Sequence, residues 1–134
     1  MKGEITLLTG ARQVGKTTLL KELKSKLNDS GKKTVFLNLE ILEYLAILDR
    51  NPENIWQFAE KDSKEVQYVF FDEIQYLKNP SNFLKHLYDE YHGKLKLIVS
   101  GSSAFYIDQK FTDSLAGRKK LFVLRTLSFS EFLL

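Results

Sequence analysis

The chain has 134 residues, 43% of them hydrophobic, which is enough for one domain with a core of its own. It has no cysteine, which excludes disulfide frameworks, thiol nucleophiles and thiolate metal sites; no apolar run approaches the ~20 residues of a membrane span, and Met1-Lys2-Gly3-Glu4 does not open a signal peptide, so a soluble, cytoplasmic protein with no membrane partner is expected. The net charge of +3 is uneven: residues 10–33 hold seven basic and two acidic side chains and residues 39–73 three basic and nine acidic, a basic excess that suits an anionic ligand but does not argue for nucleic acid by itself.

Ile5-Thr6-Leu7-Leu8-Thr9 predicts a first strand, and it leads directly into Gly10-Ala11-Arg12-Gln13-Val14-Gly15-Lys16-Thr17. That is the complete GxxxxGK[ST] pattern of a phosphate-binding loop between a strand and a helix. Gly10 and Gly15 let the backbone curl until successive N–H groups face the β- and γ-phosphate oxygens, where the positive end of the next helix adds its field. Lys16 brings a full charge to the same oxygens, and the Thr17 hydroxyl suits the Mg²⁺ that travels with a nucleotide. The candidate nucleotide-binding set is therefore Gly10, Ala11, Arg12, Gln13, Val14, Gly15, Lys16, Thr17 and Thr18. Arg12 and Gln13 hold the loop's variable positions, with side chains free to face a partner or the adenine.

A helix with Leu19, Leu20, Leu23 and Leu27 on one face follows and stops at Asn28-Asp29-Ser30-Gly31. Thr34 to Leu39 reads as a buried strand and Ile41 to Asp49 as a helix. Asn51-Pro52-Glu53 restarts a helix carrying Ile55, Trp56, Phe58 and Ala59, with Asn51 as its cap. Val66 to Phe71 is the next strand. Asn79-Pro80 opens a helix with Phe83, Leu84, Leu87, Tyr88 and Tyr91 on one side, closed by Gly93, and Leu95 to Ser100 is a fourth strand. A helical region from Ser103 to Ala116 leads to a fifth strand at Lys119 to Arg125. Alternating strands and helices of this length define an α/β fold, a doubly wound parallel sheet with helices on both faces. The aromatic residues Trp56, Phe83, Tyr88 and Tyr91 read as packing, and His86 and His92 do not suggest zinc.

The strand at Val66 to Phe71 ends in Asp72-Glu73. Ligands of open parallel sheets sit at the carboxyl ends of strands, so this pair is expected beside the phosphate loop. Asp72 is suited to orient Mg²⁺ or its water shell, and Glu73 to polarise a water for in-line attack on the γ-phosphate. The fourth strand delivers Gly101-Ser102-Ser103 to the same edge. Ser102 is the chosen contact for the γ-phosphate or the attacking water, with Ser100 and Ser103 as near neighbours. Arg118, before the fifth strand, is a source of transition-state charge, commonly supplied across a subunit boundary, and so a route to a homo-oligomer. The candidate catalytic residues are Glu73, Lys16, Ser102 and Arg118, and the candidate metal ligands are Thr17 and Asp72.

Ser128-Phe129-Ser130-Glu131 has the spacing that begins a helix, yet the sequence stops at Leu134, and a helix one turn long cannot stand alone. Residues 1–134 therefore read as a nucleotide-binding core that has lost a C-terminal lid or effector region and some N-terminal residues.

Leu8 to Thr18, then Phe71-Asp72-Glu73-Ile74-Gln75, then Ser100-Gly101-Ser102-Ser103-Ala104, then Leu115-Ala116-Gly117-Arg118, then Leu127-Ser128-Phe129-Ser130-Glu131-Phe132 form an ordered series over nearly the whole chain. It resembles the signature of the prokaryotic AAA-type P-loop ATPases, in particular the archaeal and bacterial group whose full-length members continue into a further C-terminal domain. The resemblance implies a five-stranded sheet of order 5-1-4-3-2, ATP or ADP with Mg²⁺ as ligands, and Gly10 to Thr17 as Walker A. It also implies Asp72 and Glu73 as the Walker B pair, Ser102 at the sensor position and Arg118 at that of the arginine finger. Ala11 and Thr126 depart from it where the family often carries proline. The leading expectation is an ATPase, forming ADP and phosphate and driving movement of a partner or of the region beyond the core, where a nucleic acid or protein would engage. The alternative is a nucleotide-gated switch with negligible hydrolysis. A phosphotransferase lacks a visible acceptor pocket, and a GTPase lacks the Asn-Lys-x-Asp guanine reader.

Overall fold

The computed structural model of the chain describes residues 5–9, 16–101 and 122–126. Five strands, β1 (Ile5–Thr9), β2 (Lys33–Asn38), β3 (Gln67–Asp72), β4 (Leu95–Ser100) and β5 (Phe122–Thr126), form one sheet. Every pairing is parallel, and the order is β2-β3-β4-β1-β5, which from the other edge is the expected 5-1-4-3-2. Among the described residues three α-helices intervene: α1 (Lys16–Asp29), α2 (Leu42–Arg50) and α3 (Pro80–Tyr91).

Alternation along the strands divides the core between the two faces, because successive side chains of a strand point to opposite sides. Val35 and Leu37 of β2, Val69 and Phe71 of β3, and Leu97 and Val99 of β4 face one cluster, which α2 and α3 cover with Leu48, Phe83, Leu84 and Leu87. Phe36, Tyr68, Phe70 and Ile98 face the other, where Leu20, Leu23 and Leu27 of α1 close over them. The predicted apolar stripe of α1 is thus the surface that docks on the sheet. Gly31 ends this helix with φ +82°, and Lys32 N–H bonds back to the Leu27 carbonyl at 2.9 Å, a left-handed closure that a side chain would strain.

Among the described residues, element boundaries fall within a few residues of their expected places, with one change of type; the helical region expected from Ser103 to Ala116 and the helix start expected at Ser128 lie outside the described residues. The helix expected to restart at Asn51 is a 3₁₀ turn, Pro52–Gln57, although Asn51 caps it as anticipated by accepting the Glu53 N–H at 2.9 Å. Its apolar residues explain the tighter winding. Pro52, Ile55 and Phe58 recur every third position and so eclipse on one side of a three-residue turn, with Ile55 fully buried. Asn79 caps α3 by accepting from Asn82 N–H at 3.1 Å. The aromatic residues pack as expected, with Phe83 edge-on to Phe71 at 5.2 Å and Trp56 edge-on to Tyr91 at 5.0 Å between centroids.

Glu53 ties that 3₁₀ turn to α3, accepting from the Tyr91 hydroxyl at 2.6 Å and meeting His86 Nε2 at 2.6 Å. The Tyr91 hydrogen bond first, and then His86, hold the Glu53 carboxyl below the usual carboxylate range. A carboxylate whose folded value is lowered contributes stability that is present above its unfolded value, ~4.3, and lost as pH falls through the folded one. The thermal midpoint of the chain is therefore expected to fall from pH 5 downward, with a shallower slope in Glu53→Gln. Equal slopes in melts recorded from pH 6 to 3 would remove this link. Its side chain is 35% exposed, so solvent screening keeps the effect modest. His92 Nδ1 meets the Tyr88 carbonyl at 3.0 Å. Among the described residues, no helix is long and apolar enough to cross a membrane.

Candidate functional site at the carboxyl edge of the sheet

Strand phase decides which side chains meet at the end of the sheet. Phe70 of β3 and Ile98 of β4 are register partners, and both face α1. Two residues further along each strand the same phase returns, so Asp72 and Ser100 emerge on the α1 side at the carboxyl edge. There they meet the first turn of α1. Thr17 Oγ1 donates to Asp72 Oδ2 at 2.7 Å, a contact between residues 55 apart in sequence. Ser100 Oγ donates to Asp72 Oδ1 at 2.5 Å and accepts the Glu73 N–H at 3.1 Å. Asp72 is 1% exposed and Ser100 fully buried; each has its polar atoms engaged, as buried polar groups must.

Glu73 leaves β3 in the left-handed region, φ 62° and ψ 56°, the one non-glycine among the described residues with positive φ. A side chain in that conformation costs about 1–2 kcal/mol, and such strain clusters where geometry is functional. Two contacts fix it: the Ser100 hydroxyl on its N–H, and Tyr76 N–H on its carbonyl at 3.2 Å. The 3₁₀ turn Ile74–Tyr76 that follows is anchored by Ile74, fully buried, and places Gln75 Nε2 2.7 Å from Glu73 Oε1.

The structure therefore brings Thr17, Asp72 and Glu73 to one edge, as the sequence predicts. Lys16 opens α1 there. Gly10 to Gly15, Ser102 and Arg118 lie outside the described residues. Ser100, named in the sequence only as a neighbour of Ser102, is the hydroxyl bonded to both acidic residues, and Gln75, quoted in the signature series, was given no role. The strand-phase argument finds Ser100: it shares the parity of Ile98, and hence the face of α1. Gln75 stands in the segment Phe71-Asp72-Glu73-Ile74-Gln75 that carries the family resemblance, but its contact with Glu73 depends on the left-handed turn there, which the sequence does not display.

The donor set suits magnesium. Thr17 uses its hydroxyl hydrogen on Asp72, which leaves its lone pairs for a cation, and both are hard oxygen ligands. Among the described residues no group of three or more His, Cys, Asp or Glu forms a metal cage. One hydroxyl and one carboxylate is the provision expected for an ion that completes its shell with water and substrate phosphates.

A parallel sheet with helices on both faces, carrying a GK[ST] helix start hydrogen-bonded to a strand-end aspartate, defines a P-loop nucleotide-binding domain. The chain belongs to the AAA domain family, which matches residues 2–133; it is an ATP-binding AAA domain. Solved structures agree in fold. Domain III of the Thermotoga maritima replication initiation protein DnaA superposes with a TM-score of 0.61 at 22% identity, covering 92% of this chain and 54% of that one. Drosophila ORC bound to AT-rich DNA and Cdc6 gives 0.53 at 14% identity, covering 92% and 48%. The chain thus spans about half the length of the structures it matches. No curated protein matches it significantly.

Proposed function

We propose that this domain binds ATP with Mg²⁺ and hydrolyses the β–γ bond. The observation that carries the reading is the Thr17–Asp72 hydrogen bond at 2.7 Å, because it joins the end of the phosphate-binding loop to the Walker B strand. The loop from Gly10 to Thr18 would hold the polyphosphate, with the Lys16 ammonium on its β and γ oxygens. Thr17 and Asp72 would hold Mg²⁺, which supplies positive charge against the same oxygens. Glu73 would take a proton from water as the water oxygen attacks the γ-phosphorus; the bond to the bridging oxygen breaks and its electron pair leaves on ADP. Ser100 keeps both acidic residues in register. Ser102 and Arg118 complete the assignment, Ser102 beside the γ-phosphate and Arg118 as a charge offered across a subunit boundary in a homo-oligomer.

Residues 1–134 would act as the nucleotide-driven core of a longer protein, moving a partner or a C-terminal region that engages nucleic acid or protein. Coverage of only about half of each structural relative supports this division. Phosphate release by the purified chain tests the chemistry directly. With ATP and Mg²⁺, release is expected to exceed the protein-free rate, to saturate with ATP, and to fall to background when a chelator removes the metal. Tight ATP binding without release would instead describe a switch.

A further inference from the structure

We propose that Gln75 is a positioning residue that holds the Glu73 carboxylate in its working orientation. The inference builds on the hydrolytic reading above, which gives Glu73 its task as base.

Three observations converge on it. Gln75 Nε2 donates to Glu73 Oε1 at 2.7 Å; the opposite amide orientation would set an oxygen against a carboxylate oxygen, so the contact itself fixes which end of the amide faces Glu73. The backbone between the two residues is also constrained. Glu73 is held at φ 62° by Ser100 and by the Tyr76 N–H, and Ile74 is fully buried beneath the turn. With this left-handed start to a 3₁₀ turn, the Gln75 side chain swings back over Glu73. Finally, Gln75 Oε1 is buried and takes no hydrogen bond from the described residues. Leaving a buried carbonyl oxygen bare is costly, and an orientation that does so while keeping the NH₂ group on a carboxylate is one in which that bond dominates.

The consequence is mechanical. A glutamate side chain has three rotatable torsions, and the αL backbone restricts the first but does not set the carboxylate's orientation. With the Gln75 amide in place, one carboxylate oxygen is tethered and the other is left to receive a proton. Without it, the carboxylate samples other rotamers and is less often aligned with an attacking water, a misplacement that lowers the rate of the chemical step and leaves nucleotide affinity alone.

The test compares ATP turnover and ATP affinity for the full chain, Gln75→Met, Gln75→Leu, Glu73→Gln and the double variant Glu73→Gln/Gln75→Met, with thermal melts to establish that each is folded. Met and Leu fill the Gln75 site and donate nothing. Both Gln75 variants are expected to lower kcat about 10-fold or more, to leave KM and ATP affinity within about twofold, and to cause no further loss once Glu73 is Gln. If the unaltered chain releases no phosphate, or Glu73→Gln matches it, the hydrolytic reading fails and this inference with it. If Glu73→Gln is inactive yet Gln75→Met and Gln75→Leu turn over normally, or their loss persists undiminished in the Glu73→Gln background, Gln75 has no such role and the hydrolytic reading stands.

Discussion

Glu73→Gln is expected to reduce ATP turnover by about 100-fold or more while ATP still binds, so that the nucleotide recovered with the variant is triphosphate. The change preserves size and the left-handed backbone, and it leaves the Ser100 contact to the Glu73 N–H untouched, since that contact is made by the main chain. What it removes is the carboxylate assigned to accept a proton from water. A chain in which Glu73→Gln and the natural sequence release phosphate at the same rate would have no use for this carboxylate, and hydrolysis through it would be withdrawn. Bound-nucleotide chromatography and phosphate release at saturating ATP together decide the matter.

The second large effect concerns stability. Phe70→Ala is expected to cost about 3–5 kcal/mol in denaturant unfolding, out of the roughly 5–15 kcal/mol that holds a typical domain together. Phe70 is fully buried between the sheet and α1, where among the described residues it packs with Leu20 and Ile98 and its ring stacks on Phe36 at 6.2 Å. The loss would also be felt at the site, because the same cluster seats α1 and thereby sets Thr17 against Asp72. Phe70→Leu, which keeps most of the volume, should cost roughly 1–2 kcal/mol. A Phe70→Ala loss under about 1 kcal/mol would mean that α1 is not held by this contact.

The faces of the helices and the meeting of Thr17 with Asp72 were legible because each depends on residue spacing, whereas the order of the strands came only from the family resemblance. A helix repeats every 3.6 residues, as Leu20, Leu23 and Leu27 do, and the unbroken apolar run Val69-Phe70-Phe71 marks a strand buried on both faces. The 3₁₀ turn at Pro52–Gln57 was misread as a helix because Asn-Pro-Glu starts either form, and only the three-residue recurrence of Pro52, Ile55 and Phe58 distinguishes them. The Glu53 tie to Tyr91 and His86 joins residues more than thirty positions apart, through polar tips that leave no periodic trace. Ser100 was read as the end of the fourth strand, as it is, but its role was given to the loop hydroxyl of Ser102, because sequence alone does not show that the Ser100 hydroxyl is buried against Asp72 and Glu73.

A hydroxyl carries a single hydrogen, so the Ser100 linkage has a direction. Its proton is committed to Asp72 and its lone pair to the Glu73 amide. The wiring therefore runs one way, from main chain through serine to aspartate, and a threonine could conduct it where an alanine would cut both ends. One small side chain thus sets the phase between the residue that would steady the metal and the residue that would strip the water.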